Sequence, residues 1–179
     1  MLKPNRLSTR LLLGSLGLLS LGMKAQSSDK IKISTTMENR IINRVPEISL
    51  AAARELLNKG LEIAQAKNLN ISLAVSDRSG ALLAFIRMDN ASLVTIDVAI
   101  QKARTAAFLK APSQLFENFI NNGQPAMATT PGILPLQGGV PIIINNEMIG
   151  AVGVSGSSGE NDNAMAVELA EYWAEIKTK

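Results

Sequence analysis

Pro131–Gly159, PGILPLQGGVPIIINNEMIGAVGVSGSSG, decides the fold. It holds two apolar runs, Val140–Ile144 and Met148–Ser155, joined across Asn145-Asn146-Glu147. Continuous β-branched runs bounded by turn residues read as strands buried on both faces. Asn-Asn supplies the turn, because asparagine tolerates the positive φ of a tight hairpin. Gln137-Gly138-Gly139 precedes the first strand, where missing side chains let something approach the backbone closely. The second strand runs through Gly150, Gly153, Gly156 and Gly159 towards a helix that opens near Asn161-Asp162. Glycine-rich loops at both ends of a buried hairpin suit a scaffold that presents a site. From spacing alone, turns and close strand packing are the favoured reading.

Working outward, Ser49 is a candidate N-cap for a helix from Leu50 to about Lys67, with Leu50, Ala53, Leu57, Leu61 and Ala64 on one face. Ile71–Val75 alternates as a strand, Asp77-Arg78-Ser79-Gly80 turns, and Ala81–Met88 returns. Leu93–Leu109 reads as a second helix with Ile96, Ala99, Ile100, Ala103 and Ala107 inward. Pro112-Ser113 starts and caps a short third helix reaching about Ile120. Asn121–Gly139, with Pro125, Pro131 and Pro135, is a loop long enough to suggest function. Asp162–Lys177 forms the last helix, burying Met165, Leu169, Trp173 and Ile176. Strands that come as hairpins between helices give an α+β domain with an antiparallel sheet.

The 179 residues match one domain with a leader. Lys3, Arg6 and Arg10 precede the apolar run Leu11–Leu21, and Gly22-Met23-Lys24-Ala25 follows it. A basic start, a short apolar stretch and a small residue describe a secretory signal peptide over 1–25. Residues 26–44 then read as a flexible arm, and 45–179 as a single domain. Of 18 basic and 15 acidic residues, four basic ones (Lys3, Arg6, Arg10, Lys24) lie in the leader, which leaves 14 against 15. The remainder is near neutral, so no nucleic-acid footprint is expected. The expected location is periplasmic or secreted, with no membrane attachment after leader removal.

The chain has no histidine and no cysteine. That removes Ser-His-Asp and Cys-His catalysis, the usual zinc sites and the two common protein ligands of haem iron. Gly153–Gly159 lies between a strand and a helix, where free backbone N–H groups favour an anion, but it lacks the lysine of a phosphate-binding loop. Arg87, Lys102 and Arg104 are candidate partners for an anionic ligand; Lys102 and Arg104 lie on opposite sides of the helical wheel. Asp77, Asp89 and Asp97 are weaker acid–base candidates, Asp77 being more simply a turn residue. Met88, Met127 and Met148 are soft apolar groups able to flank a macrocycle, Met127 being the best placed as a ligand. Val98 and Phe108 point away from the inner helix face and need cover, from a neighbouring subunit or from the proline loop.

The motifs PGILPL-x-GGVPI and GAVGVSG, with Ile71–Val75, Asp77, Gly80, Phe85–Asp89 and KARTAA at Lys102–Ala107, resemble the GlcG/HbpS family over roughly Val45 to Lys177. The resemblance implies a five-stranded antiparallel sheet of profilin-like form, the fifth strand lying in or before the proline loop. It implies haem or another tetrapyrrole as the ligand of a homo-oligomeric protein that is non-enzymatic or at most degrades haem slowly; the absence of histidine departs from the family and excludes histidine ligation here. An enzyme or accessory protein acting on a small organic acid is the alternative. The candidate ligand-binding set is Arg87, Lys102, Arg104, Met127, Gln137, Gly138, Gly139, Ser155, Gly156 and Ser157. No catalytic residue and no protein-bound metal is assigned.

Overall fold

The computed structural model describes Met37 and residues 41–176, with side chains through Trp173. The signal-peptide expectation over 1–25, most of the arm and the Ile176 side chain lie outside the described residues. The chain divides into two compact units, 1–43 and 44–179, and every element below belongs to the second.

Helix α1 (Leu50–Ala66) starts at Ser49, whose side-chain oxygen accepts from the Ala52 amide at 3.2 Å. Its buried stripe is Ala53, Leu56, Leu57, Gly60, Ile63 and Ala64. That stripe is rotated from the expected one: Leu50 is exposed and Leu61 half-buried, while Gly60 faces in because a side chain there would meet Leu73. Strands β1 (Ser72–Ser76) and β2 (Leu82–Arg87) form the first hairpin. Asp77 closes its turn by accepting from the Ser79 amide and hydroxyl and the Ala81 amide, with Gly80 at φ +78. Helices α2 (Val94–Leu109) and α3 (Gln114–Asn121) follow. Strands β3 (Gly139–Ile144) and β4 (Glu147–Ser155) form the second hairpin, and helix α4 (Gly159–Ile176) ends the domain. Asn145 and Asn146 both adopt positive φ, +52 and +62, as the hairpin turn requires.

The sheet has four strands in the order β2-β1-β4-β3, all neighbours antiparallel. The expected fifth strand is absent among the described residues. Its segment holds a 3-10 helix (Pro125–Thr129) and irregular chain. Amides there find side-chain acceptors instead of a strand: Leu134 donates to Thr105 Oγ1 at 2.8 Å and Gln137 to Glu117 Oε2 at 2.9 Å. Prolines at 125, 131 and 135 lack the N–H a ladder needs.

Alternation along the central strands divides two layers. Leu73, Val75, Val152 and Val154 join the large core with α1 and α4. Ala74, Ala151 and Gly153 face α2, which meets them with Ala99, Ala103, Ala106 and Ala107. Small residues on both surfaces let helix and sheet backbones come close. A Cβ on Gly153 would meet the Ala99 carbonyl and lie 2.6 Å from the Ala103 nitrogen. The expected inner residues Ile96 and Ile100 are only half-buried, while Thr95, Lys102 and Thr105 are buried.

Candidate functional site

Lys102 sits on α2, next to Ala103 among the alanines that touch the sheet, and is 3% exposed. Its Nζ donates to Asp162 Oδ2 at 2.8 Å and to the Val154 carbonyl at 3.0 Å. Both side chains of the ion pair are 4% exposed. Asp162, in the first turn of α4, accepts from the Ser157 amide at 3.0 Å through Oδ1, and its own amide donates to the Ser158 carbonyl. Asn161 completes the turn, its amide reaching Ser158 Oγ and its side chain Ser157 Oγ. The glycine loop reads in sequence as suited to an anion or to a structural turn; its Ser157 amide binds the protein's own Asp162 carboxylate, which is itself neutralised by Lys102.

Above this pair opens a cavity of about 280 Å³ lined by Lys102, Asp162, Ser155, Ser157, Gly159, Gln137, Glu117, Val98 and Leu136. Its polar wall is built locally. Gln137 is fixed by two contacts from α3: its amide donates to Glu117 Oε2, and its side-chain oxygen accepts from Gln114 Nε2 at 2.9 Å. Ser113 was expected to cap α3. It makes no cap bond, and instead donates to the Leu136 carbonyl at 2.7 Å and accepts from the Gly139 amide at 2.9 Å. The proline loop is thereby clamped over the start of β3.

Of the expected ligand-binding residues, Lys102, Gln137, Ser155 and Ser157 line this one cavity. Gly138, Gly139 and Gly156 stand beside it, but protein backbone fills the space their missing side chains leave. A Cβ on Gly139 would meet the Lys102 carbonyl, and one on Gly156 would lie 2.5 Å from the Asn70 carbonyl. Gly138, at φ +114, would place its Cβ 2.9 Å from Lys102 Nζ. The nearest atoms to these glycines belong to α2, to Val154 of β4, to Asp162 of α4 and to the Asn70-Ile71 segment before β1. The other three candidates lie elsewhere. Arg87 lines a separate cavity of about 350 Å³ with Met88, Asp89 and Asn90, and donates to the Ala91 carbonyl at 3.0 Å. Arg104 is exposed and lies over the Phe108 ring, 5.1 Å from its centroid. Met127 is half-buried in the 3-10 helix and lines none of these cavities. Sequence reasoning missed Asp162 and Glu117 as site residues; the signal for Asp162 was an acid just after a glycine-rich strand end.

A third cavity, of about 470 Å³, is apolar. Ile48, Ala52, Ile144, Ile149 and Trp173 line it, with Glu47 and Ser49 beside them. Chain entry into α1 shapes this cleft, because the Ile48 amide donates to the Ile149 carbonyl at 2.9 Å. Its volume falls in the range of small-molecule sites. None of its lining residues is a usual axial ligand of haem iron. Tyr172, the chain's one tyrosine, directs its hydroxyl to Glu55 at 3.2 Å. The residues thus fit the apolar face of a macrocycle and offer nothing to its metal.

Four antiparallel strands between helical layers, with an apolar cleft and a polar cavity floored by a buried ion pair, define a cavity-bearing α+β domain. The chain belongs to the GlcG/HbpS family: the profile described as haem degrading protein, HbpS-like, matches residues 48–171. Protein GlcG of Escherichia coli K12 is 40% identical over 108 residues, 60% of this chain and 81% of GlcG. Among solved structures, protein ORFY of Klebsiella pneumoniae superposes with a TM-score of 0.70 at 31% identity, covering 74% of this chain and 94% of ORFY. A double mutant of Streptomyces reticuli HbpS gives 0.68 at 29% identity, covering 74% and 90%.

Proposed function

We propose that this protein binds haem or a related tetrapyrrole in the apolar cleft beside Trp173, as an exported, non-enzymatic homo-oligomer. The observation that carries the reading is the cleft itself: about 470 Å³, walled by Ile48, Ala52, Ile144, Ile149 and the Trp173 indole. Membership of a family described by haem degradation supports the same ligand class. Binding here rests on burial of the macrocycle against aliphatic and indole surface, which contributes about 25 cal/mol per Å² of apolar area removed from water. The chain offers the iron no histidine or cysteine, and no residue lining the cleft is a usual axial ligand. When bound, the haem would supply its own redox chemistry; the chain's residues hold its apolar face and exclude water from it.

Hemin titration of the purified protein tests this. Trp173 is the only tryptophan, so its fluorescence reports the cleft directly. Saturable quenching together with a Soret band distinct from hemin in buffer is expected. A spectrum identical to free hemin, with no saturable quenching, would overturn the reading. Export is tested by N-terminal sequencing of protein recovered outside the cytoplasm, and assembly by light scattering.

A further inference from the structure

The polar cavity beside Lys102 is a second site, distinct from the Trp173 cleft and of opposite chemistry. Three charged groups line it: the Lys102 ammonium and the Asp162 and Glu117 carboxylates. Lys102 and Asp162 neutralise each other at 2.8 Å, so Glu117 leaves the cavity with an excess of one negative charge. A carboxylate ligand would meet that excess as a like charge, which disfavours it. Hydrogen-bonding capacity nevertheless remains. An ammonium has three donors and Lys102 spends two inside the protein, on Asp162 and Val154. Ser155, 6% exposed, has no hydrogen-bond partner for its hydroxyl among the described residues and lines the cavity. The Gln137 side-chain NH₂ is also unspent, since only its oxygen is used, and Glu117 accepts through Oε2 alone. These unspent donors and acceptors belong to residues that line the cavity, where a ligand's polar atoms can pair with them.

We propose that this cavity binds a small uncharged hydroxy-carbonyl compound. Its carbonyl oxygen accepts from the third Lys102 N–H and the Ser155 hydroxyl, and its hydroxyl donates to Glu117 Oε1. The volume of about 280 Å³ suits a ligand of a few heavy atoms and lies below the usual range of drug-sized sites. Val98 and Leu136 close the apolar side. An organic acid of the same skeleton is rejected by charge, which separates this site from the anion site that the lysine and the glycine loop suggest in sequence.

Glycolamide and glycolate form a test pair, nearly equal in shape and different in charge. Calorimetry and thermal shift on the full chain should detect glycolamide binding at least about tenfold tighter than glycolate, the ratio expected of an unrelieved like charge. Ser155→Ala should weaken glycolamide roughly fivefold, the worth of one neutral hydrogen bond. Glu117→Gln keeps an acceptor for the Gln137 amide and should raise glycolate affinity until the two ligands bind alike. Glycolate binding as tightly as glycolamide to the unmodified protein would overturn the proposal. So would no binding of either ligand at millimolar concentration, or binding that both variants leave unchanged. Hemin titration of the same variants reads the other cleft and should not move, so failure of either site is seen separately.

Discussion

Replacing Gly153 by alanine should be among the most damaging small substitutions in this domain. Gly153 lies in β4 between Gly139 and Ala74 on the neighbouring strands, directly under α2. An added Cβ would meet the Ala99 carbonyl, lie 2.6 Å from the Ala103 nitrogen and 3.1 Å from the Ala103 Cβ. Normal separation is about 3.5 Å or more, so α2 must retreat by about 1 Å. Two of the three obstacles are helix backbone, which cannot rotate aside. Overpacking a core costs about 1–3 kcal/mol, and rigid obstacles place this case at about 3 kcal/mol or above. For a domain of this size that lowers the melting temperature by roughly 12 °C, taking about 4 °C per kcal/mol. Gly123→Ala is the control. Its φ is +84 but nothing lies within 4 Å, so only backbone strain of about 1 kcal/mol applies. Thermal melts followed by circular dichroism compare the two. A Gly153→Ala protein melting within about 2 °C of the parent would refute the close-approach argument.

Four further outcomes are expected. Asp162→Ala should cost about 3–5 kcal/mol by stranding the buried Lys102 charge, whereas Lys102→Met with Asp162→Leu should recover most of it in urea titrations. Burial pushes the Asp77 carboxyl up, but hydrogen bonds from the Ser79 hydroxyl and the amides of Ala81, Ser79 and Gly80 outweigh it and hold it below its ordinary value. A depressed carboxyl contributes stability above the unfolded value of about 3.9 and loses it as pH falls through the folded one, so Asp77→Asn should be less stable than the parent at pH 7 and converge with it in acid. Ala52→Phe, on a cleft wall, should weaken hemin binding at least about tenfold, the value of roughly 1.4 kcal/mol of lost contact, with little change in glycolamide binding. Light scattering at micromolar concentration should give a mass above one chain; a single-chain mass would remove the assembly proposal.

Local rules made much of the fold legible. The β3–β4 turn demands positive φ at two consecutive residues, and Asn145-Asn146 announces that demand directly. Ser49 announces α1 by its capping oxygen. Ile71–Val75 is legible as a strand and the alanines of α2 as an inward face, but which surface that face meets is not written in either segment. The fifth strand came from family likeness alone, and nothing in the proline loop's own residues supported it. Lys102 was legible as a charge and not as a buried one, because its counter-ion lies 60 residues on and its carbonyl partner is in β4. A helical wheel carries no information about either. Phe108 was read as needing cover, and the chain gives it some: side chains at Gly80 and Gly132 would lie 2.8 and 3.2 Å from its ring.

The ion pair separates what must stay fixed around the polar cavity from what is free to vary. Lys102 ties α2 to the end of β4 through Val154, and Asp162 ties α4 to the loop through Ser157. Changing either charge disturbs three elements at once, so the floor answers to the fold. The opposite wall is tied only locally, by the bonds of Glu117 and Gln114 to Gln137 and of Ser113 to Leu136. Glu117 and Gln114 project from an eight-residue helix, and Leu136 and Gln137 from the irregular chain that Ser113 clamps. Substitution at Glu117 or Gln137 therefore alters the cavity's charge and hydrogen-bonding pattern while the floor stands. Ligand preference follows from that wall: with Glu117 present the cavity repels anions, and an uncharged side chain at 117 turns the same floor into a site that accepts them.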